Sequence, residues 1–131
     1  MAYQLKYYAP PIVYVLLILF LSSLNQNVVS TYSFGLADYI LHGVEYHILG
    51  VTLIWAFYRE KPRLEFRSSY SLAISTGSLI AMADEFYQSF IPTRYSTIED
   101  VVVDVFGLIL SVITFSLLMK IPRLEKFRID A

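Results

Sequence analysis

Sorted into apolar and polar positions, the chain shows four long apolar stretches, at residues 7–24, 38–58, 70–90 and 98–120, joined by short polar connectors. A hydrocarbon core about 30 Å thick needs about 20 mostly apolar residues per spanning helix, and each stretch approaches that length. The pattern predicts an all-α fold, an integral membrane bundle of four transmembrane helices. The connectors leave no room for a separate soluble domain, so residues 1–131 are expected to form a single unit.

Local signals mark the helix ends. Pro10 and Pro11 mark a helix start, where a missing N–H costs little. The tyrosines before them suit a membrane interface, with a disordered tail as the close alternative. Asn25, Gln26 and Asn27 end the first apolar run, and Pro122 stops the fourth. In "STIED", residues 96–100, Ser96 with Glu99 or Thr97 with Asp100 fits the capping-box spacing, so a helix is expected to begin near Ile98.

Composition agrees with the pattern: 56% of residues are apolar, above the roughly 45–50% of soluble domains. Charge placement adds an orientation. Lys6, then Arg59, Lys61, Arg63 and Arg67, then Lys120, Arg123, Lys126 and Arg128 fall at the two ends and the middle connector, against Arg94 elsewhere. Connectors rich in Lys and Arg stay inside, so both termini are expected to be cytoplasmic. These clusters flank apolar spans and carry no nucleic-acid module, so no nucleic-acid partner is expected. Ser22 and Ser23 run straight into Leu24 and Asn25 without a convincing cleavage site, which favours an uncleaved first helix over a signal peptide. With no cysteine, disulfides, thiol catalysis and thiolate metal sites are excluded.

Ionisable residues nonetheless sit inside the apolar stretches. At about 1.5 Å per residue from the outer helix ends, His42 lies about 6 Å in, Glu45 about 10 Å, Asp84 and Glu85 about 8 to 9 Å, and Asp104 about 9 Å. Asp38, His42 and Glu45 repeat at helical spacing, as do Asp84 with Gln88 and Asp100 with Asp104, so each set forms one stripe. Gly77 and Ala81 continue the stripe below Asp84, and Gly107, Ser111 and Thr114 that below Asp104. Small residues let membrane helices approach closely, so the stripes are expected to face one another around a shared polar pocket near the extracytoplasmic face. Glu85 points partly away from Asp84, and His47, off the stripe, reads as packing.

An Asp at a helix centre costs roughly 2.5–3.5 kcal/mol on insertion scales, so such a cluster calls for compensation. Arg94 is the obvious counter-ion, because its planar fork can bridge two carboxylates. One arginine cannot neutralise the set, which implies shared protons, a bound cation or a cationic ligand. His42 with the carboxylates offers ligands for Mn, Mg or Ca, or equally a general acid–base pair, and the spacing selects neither. No nucleophile elbow, phosphate-cradling loop or His-Glu-x-x-His run occurs.

Two segments resemble a known family. "DEFYQSFIPTRYSTIEDVVVDVFG", residues 84–107, is similar to the signature of VanZ-like membrane proteins, D-E-x-x-Q-x-F-x-P-G-R followed by S-x-x-D, then Asn or Asp, then Gly. "DYILHGVEYHILG", residues 38–50, resembles that family's upstream D-x-x-x-H-x-x-E-Y-x-x-L-G. The match carries Asp38, His42, Glu45, Tyr46, Asp84, Glu85, Gln88, Pro92, Arg94, Ser96, Asp100, Asp104 and Gly107. Thr93 replaces the usual glycine before the arginine, and Asp104 stands where many relatives have asparagine. The resemblance implies a multi-pass protein of the bacterial cytoplasmic membrane, in a family named for a member associated with teicoplanin resistance; it supplies no settled reaction.

The leading functional expectation is an envelope-acting protein that binds, and in one version modifies, an amphiphile at the outer leaflet, such as a lipid-linked envelope intermediate or a lipoglycopeptide. Candidate catalytic residues are His42, Asp84, Glu85 and Asp100, and candidate ligand-binding residues are Asp38, Glu45, Gln88, Arg94 and Asp104. Arg94 would engage an anionic headgroup, His42 with Asp84 or Glu85 would handle a proton or a metal, and Asp100 with Asp104 would orient the rest. A small proton-coupled transporter is the alternative, and it needs a polar path inward, for which Ser75, Thr76, Ser111, Thr114 and Ser116 are available. A structural membrane subunit is a third reading.

Overall fold

The computed structural model describes residues 2–24, 36–60, 66–92, 94 and 96–121, with side chains at all of these except 2–5, 60 and 66. Its elements are four helices: α1 (Ala2–Ser22), α2 (Leu36–Glu60), α3 (Phe66–Gln88) and α4 (Ile98–Leu118). The described residues contain no strand. The polar run from Asn25, Thr93, the basic positions Lys61 and Arg63, Pro122 and the basic positions beyond it lie outside the described residues.

Three of the four helices begin and end within a few residues of the apolar stretches; the first departs. Helix α1 begins at Ala2 and runs through Pro10 and Pro11 instead of starting there. Each proline withholds one backbone N–H, a loss that contacts made by the preceding turns offset. The Tyr8 ring stands edge-on to Phe57, 6.1 Å away, and Arg59 lies 5.5 Å from the Tyr7 ring, so α2 holds the first turns of α1 in place. At α4 the choice between two capping pairs is resolved. Thr97 is extended, with φ −131° and ψ 151°, and its Oγ1 accepts from the Asp100 N–H at 3.3 Å. The same hydroxyl donates to Asp100 Oδ2 at 2.8 Å. That satisfies one of the free N–H groups of the first turn and starts the helix at Ile98.

Helix α2 is the hub, packing against α1, α3 and α4, with its most extensive interface against α4; α1 also lies on α3. The reason for close α2–α4 contact is glycine. A Cβ at Gly107 would collide with the Gly43 carbonyl oxygen and lie 3.1 Å from the His47 nitrogen, so only glycine allows the two backbones to touch there. Gly77 plays a related part on α3, where a Cβ would meet Leu108 Cδ2 at 2.5 Å. Away from this contact, Tyr46, Leu49, Ile54, Ala81 and Leu108 fill the interior. Tyr58 and Tyr70 stand edge-on to Phe115 at 6.2 and 6.4 Å. Ser116 Oγ donates to the Val112 carbonyl, so the Tyr70 hydroxyl donates to Ser116 and ties α3 to α4 at 2.9 Å.

The bundle is polar inside at one end and apolar outside along its length. Asp84, Glu85, Asp100 and Asp104 are buried, whereas Leu79, Phe86, Val102, Phe106, Ile113 and Leu117 are exposed. Water would favour the reverse, so the surface is that of a membrane protein. Among the described residues, Leu36–Arg59 and Ile98–Leu118 are long and apolar enough to cross a membrane, and Lys6–Ser22 is a shorter apolar helix. Helix α3, broken by Ser68, Ser69, Ser71, Ser75, Thr76 and Ser78, is the most polar of the four.

Candidate functional site

The stripes expected from helical spacing do converge, and they do so at the end of the bundle where α1 and α3 finish and α2 and α4 begin. Two polar networks occupy that layer.

The first joins α1, α3 and the segment after α3. Asp84 Oδ2 accepts from Gln88 Nε2 at 2.9 Å, as expected for residues four apart on one helix, and from Ser22 Oγ at 2.9 Å. The second Gln88 N–H reaches Ser22 Oγ at 3.3 Å, and Gln88 Oε1 accepts from Arg94 Nη1 at 3.3 Å. Arg94 also donates to the Leu21 carbonyl at 2.9 Å and the Leu24 carbonyl at 3.4 Å. These carbonyls lie at the C-terminal end of α1, where the helix dipole favours a cation; that of Leu21 also accepts from the Leu24 N–H at 3.1 Å.

Among the described residues, Arg94 therefore does not bridge two carboxylates as the sequence reading expected. Its direct partners there are neutral oxygens, and it reaches Asp84 through Gln88. The reason is the position of α1: two backbone carbonyls of α1 lie within reach of the guanidinium and take up its fork.

The second network joins α2, α3 and α4. His42 Nδ1 lies 3.2 Å from Asp104 Oδ1, with both side chains buried. The sequence reading paired His42 with Asp84 or Glu85; Asp84 is engaged by Ser22 and Gln88 instead, and Asp104 is a partner that reading did not name. Glu85 Oε2 accepts from the Thr97 backbone N–H at 3.2 Å. Glu85, left uncertain by its helical angle, is 5% exposed and belongs fully to the site. Donor atoms of His42, Glu85 and Asp100 lie within 4.8 Å of one another. Asp38 and Glu45 are half-buried and have no hydrogen-bond partner among the described residues.

Several buried polar atoms in this layer have no hydrogen-bond partner among the described residues: Tyr46 Oη, Asp84 Oδ1, Glu85 Oε1 and Asp104 Oδ2. Leaving such atoms dry is costly, and four at one depth mark a place built to meet something beyond the bundle's own side chains. Ser22 is the member that sequence reasoning missed as a site residue. Its signal was only a hydroxyl at the end of an apolar helix, a position where serine is unremarkable.

Beside the polar layer, between α2 and α4, lies an apolar groove of about 440 Å³ lined by Tyr39, Ile40, Val44, His47, Val103 and Phe106, with Gly43 and Gly107 at its floor. Gly43 and Val103 are chain neighbours of His42 and Asp104, so the groove runs directly behind that pair. His47 lines it as a packing residue, as expected.

Neither the curated proteins nor the solved structures contain a match to this chain. The VanZ/LLP1 family model matches residues 10–119, a span that contains α2, α3 and α4, the part of α1 from Pro10 onward and every residue of both polar networks, and the chain belongs to that family.

Proposed function

We propose that this protein is a four-span protein of the bacterial cytoplasmic membrane, with both termini in the cytoplasm, that binds an amphiphilic envelope ligand at the outer leaflet. The observation that carries the reading is the juxtaposition of a buried polar layer and an apolar groove on the same stretch of α2 and α4. An amphiphile needs both: an apolar channel for its chain and charged or hydrogen-bonding groups for its head. Arg94 strengthens it, because its hydrogen-bond partners among the described residues are neutral oxygens, which leaves its charge available to an anionic headgroup.

The orientation rests on the charges. Lys6, Arg59, Arg67 and Lys120 lie at the end of the bundle opposite the polar layer, which the excess of inside Lys and Arg assigns to the cytoplasm. A proton-coupled carrier would need polar groups continuing to that end. Ser111 and Ser116 instead donate back to the Leu108 and Val112 carbonyls of their own helix, which favours a binding site at one leaflet over a through-path. The family's association with teicoplanin resistance makes lipoglycopeptides and the lipid-linked intermediates they bind the first ligands to test.

The test is bacterial survival under teicoplanin, with wild type, Asp84→Asn, His42→Ala and Arg94→Ala matched for membrane abundance. Wild type is expected to protect, with the three variants reduced. Equal survival of all four at equal abundance would refute the assignment.

A further inference from the structure

We propose that His42, Glu85 and Asp100 form a binding site for one divalent transition-metal cation, with one ligand from each of α2, α3 and α4. Their donor atoms all lie within 4.8 Å of one another, and all three side chains are buried. Donors around a cation at about 2.1 Å stand roughly 3–4 Å apart, so small side-chain rotations complete the set.

Convergence of acids alone does not make a metal site, and three further features point to a cation. Glu85 is 5% exposed and its Oε1 has no hydrogen-bond partner among the described residues, leaving a buried lone pair free. Its other oxygen is held by the Thr97 N–H at 3.2 Å, and Asp100 Oδ2 is held by the Thr97 hydroxyl at 2.8 Å. Thr97 thus positions both carboxylates and leaves one oxygen of each for a ligand. On the other side, His42 Nδ1 lies 3.2 Å from Asp104 Oδ1. With Nδ1 donating to that carboxylate, Nε2 carries the ring's free lone pair, and carboxylate–histidine–metal chains use this arrangement.

Charge argues the same way. Glu85, Asp100 and Asp104 crowd one buried histidine, Asp84 and Glu45 lie close by, and the direct partners of Arg94 are neutral. Buried charges are paired or bound to metals, and a dication at this point would meet two carboxylates directly and a third, Asp104, through His42. One imidazole with two carboxylates suits Mn²⁺ or Zn²⁺ better than Mg²⁺ or Ca²⁺, which prefer oxygen throughout. The site is independent of the envelope ligand: metal binding is read on purified protein and the ligand in cells, so either can fail alone.

The experiment takes the full chain in detergent, stripped with EDTA, and titrates it with Co²⁺. Visible absorbance reports coordination and thermal unfolding reports stabilisation, with Mn²⁺ and Zn²⁺ as competitors. The expected result is saturation at one Co²⁺ per chain with a rise in Tm, displaced by Mn²⁺ or Zn²⁺. Glu85→Gln is expected to abolish the signal, Asp104→Asn to weaken binding about 10–100-fold through the orientation of His42, and the exposed Glu99→Gln to leave it unchanged. Absence of Co²⁺ binding and of any Tm shift in the wild type at millimolar metal would overturn the proposal, whatever the variants do. Undiminished Co²⁺ binding by Glu85→Gln would overturn it as well.

Discussion

Two glycines of one helix interface should respond to the same substitution in opposite ways. A Cβ at Gly107 would strike the Gly43 carbonyl oxygen, a backbone atom that no rotamer change can move aside. A Cβ at Gly43 would meet only Val103 Cγ1, at 3.5 Å, an ordinary contact. Overpacking a tight interior typically costs about 1–3 kcal/mol, and a backbone obstacle places Gly107→Ala in the upper half of that range. Alanine returns up to about 1 kcal/mol of helix propensity at either position. Gly107→Ala should therefore destabilise by about 1–2 kcal/mol, and Gly43→Ala should stabilise by up to about 1 kcal/mol. The assay is unfolding of purified protein in mixed micelles of rising dodecyl sulfate fraction, followed by fluorescence of the single tryptophan, Trp55. Equal midpoints for the two variants, or a lower midpoint for Gly43→Ala, would refute the claim that α2 and α4 touch backbone to backbone at Gly107.

The remaining predictions use the same unfolding assay unless stated. Thr97→Ala removes the cap of α4 and should cost about 1 kcal/mol, with Thr97→Ser restoring most of it; no difference from wild type would show that the cap is dispensable. His42→Ala strips Asp104 of its hydrogen-bond partner among the described residues and should cost about 3–5 kcal/mol, while the paired His42→Leu/Asp104→Leu should recover much of the loss. Additive losses in that double variant would argue against a coupled pair. Arg94→Ala frees the Leu21 and Leu24 carbonyls and should expose the end of α1 to limited proteolysis, with Arg94→Lys intermediate because a point charge cannot fork between them. Unchanged cleavage near Leu24 would count against Arg94 as the clasp of α1.

Much of this architecture was legible in the chain. Helical periodicity encodes which residues share a face, and distance from a helix end encodes depth. The stripes of Asp84 with Gln88 and of Asp100 with Asp104, and the glycines beneath them, could therefore be read in advance, as could a helix start at Ile98. The family motif added membership, which covers residues 10–119.

Partner choice was not legible. Whether His42 meets Asp84 or Asp104 depends on the rotation and vertical offset of α2 against α4, and these are set by the Gly43–Gly107 contact, a property of two helices together. Arg94 had carboxylates on every side in the sequence and found neutral carbonyls, because α1 ends beside it. Pro10 and Pro11 looked like a helix start and became helix interior, because Tyr7 and Tyr8 have Arg59 and Phe57 to hold them. Local sequence determines what a helix presents and at what depth; only the packing of helices decides what that face meets, since the distances that select a hydrogen-bond partner arise between segments far apart in the chain.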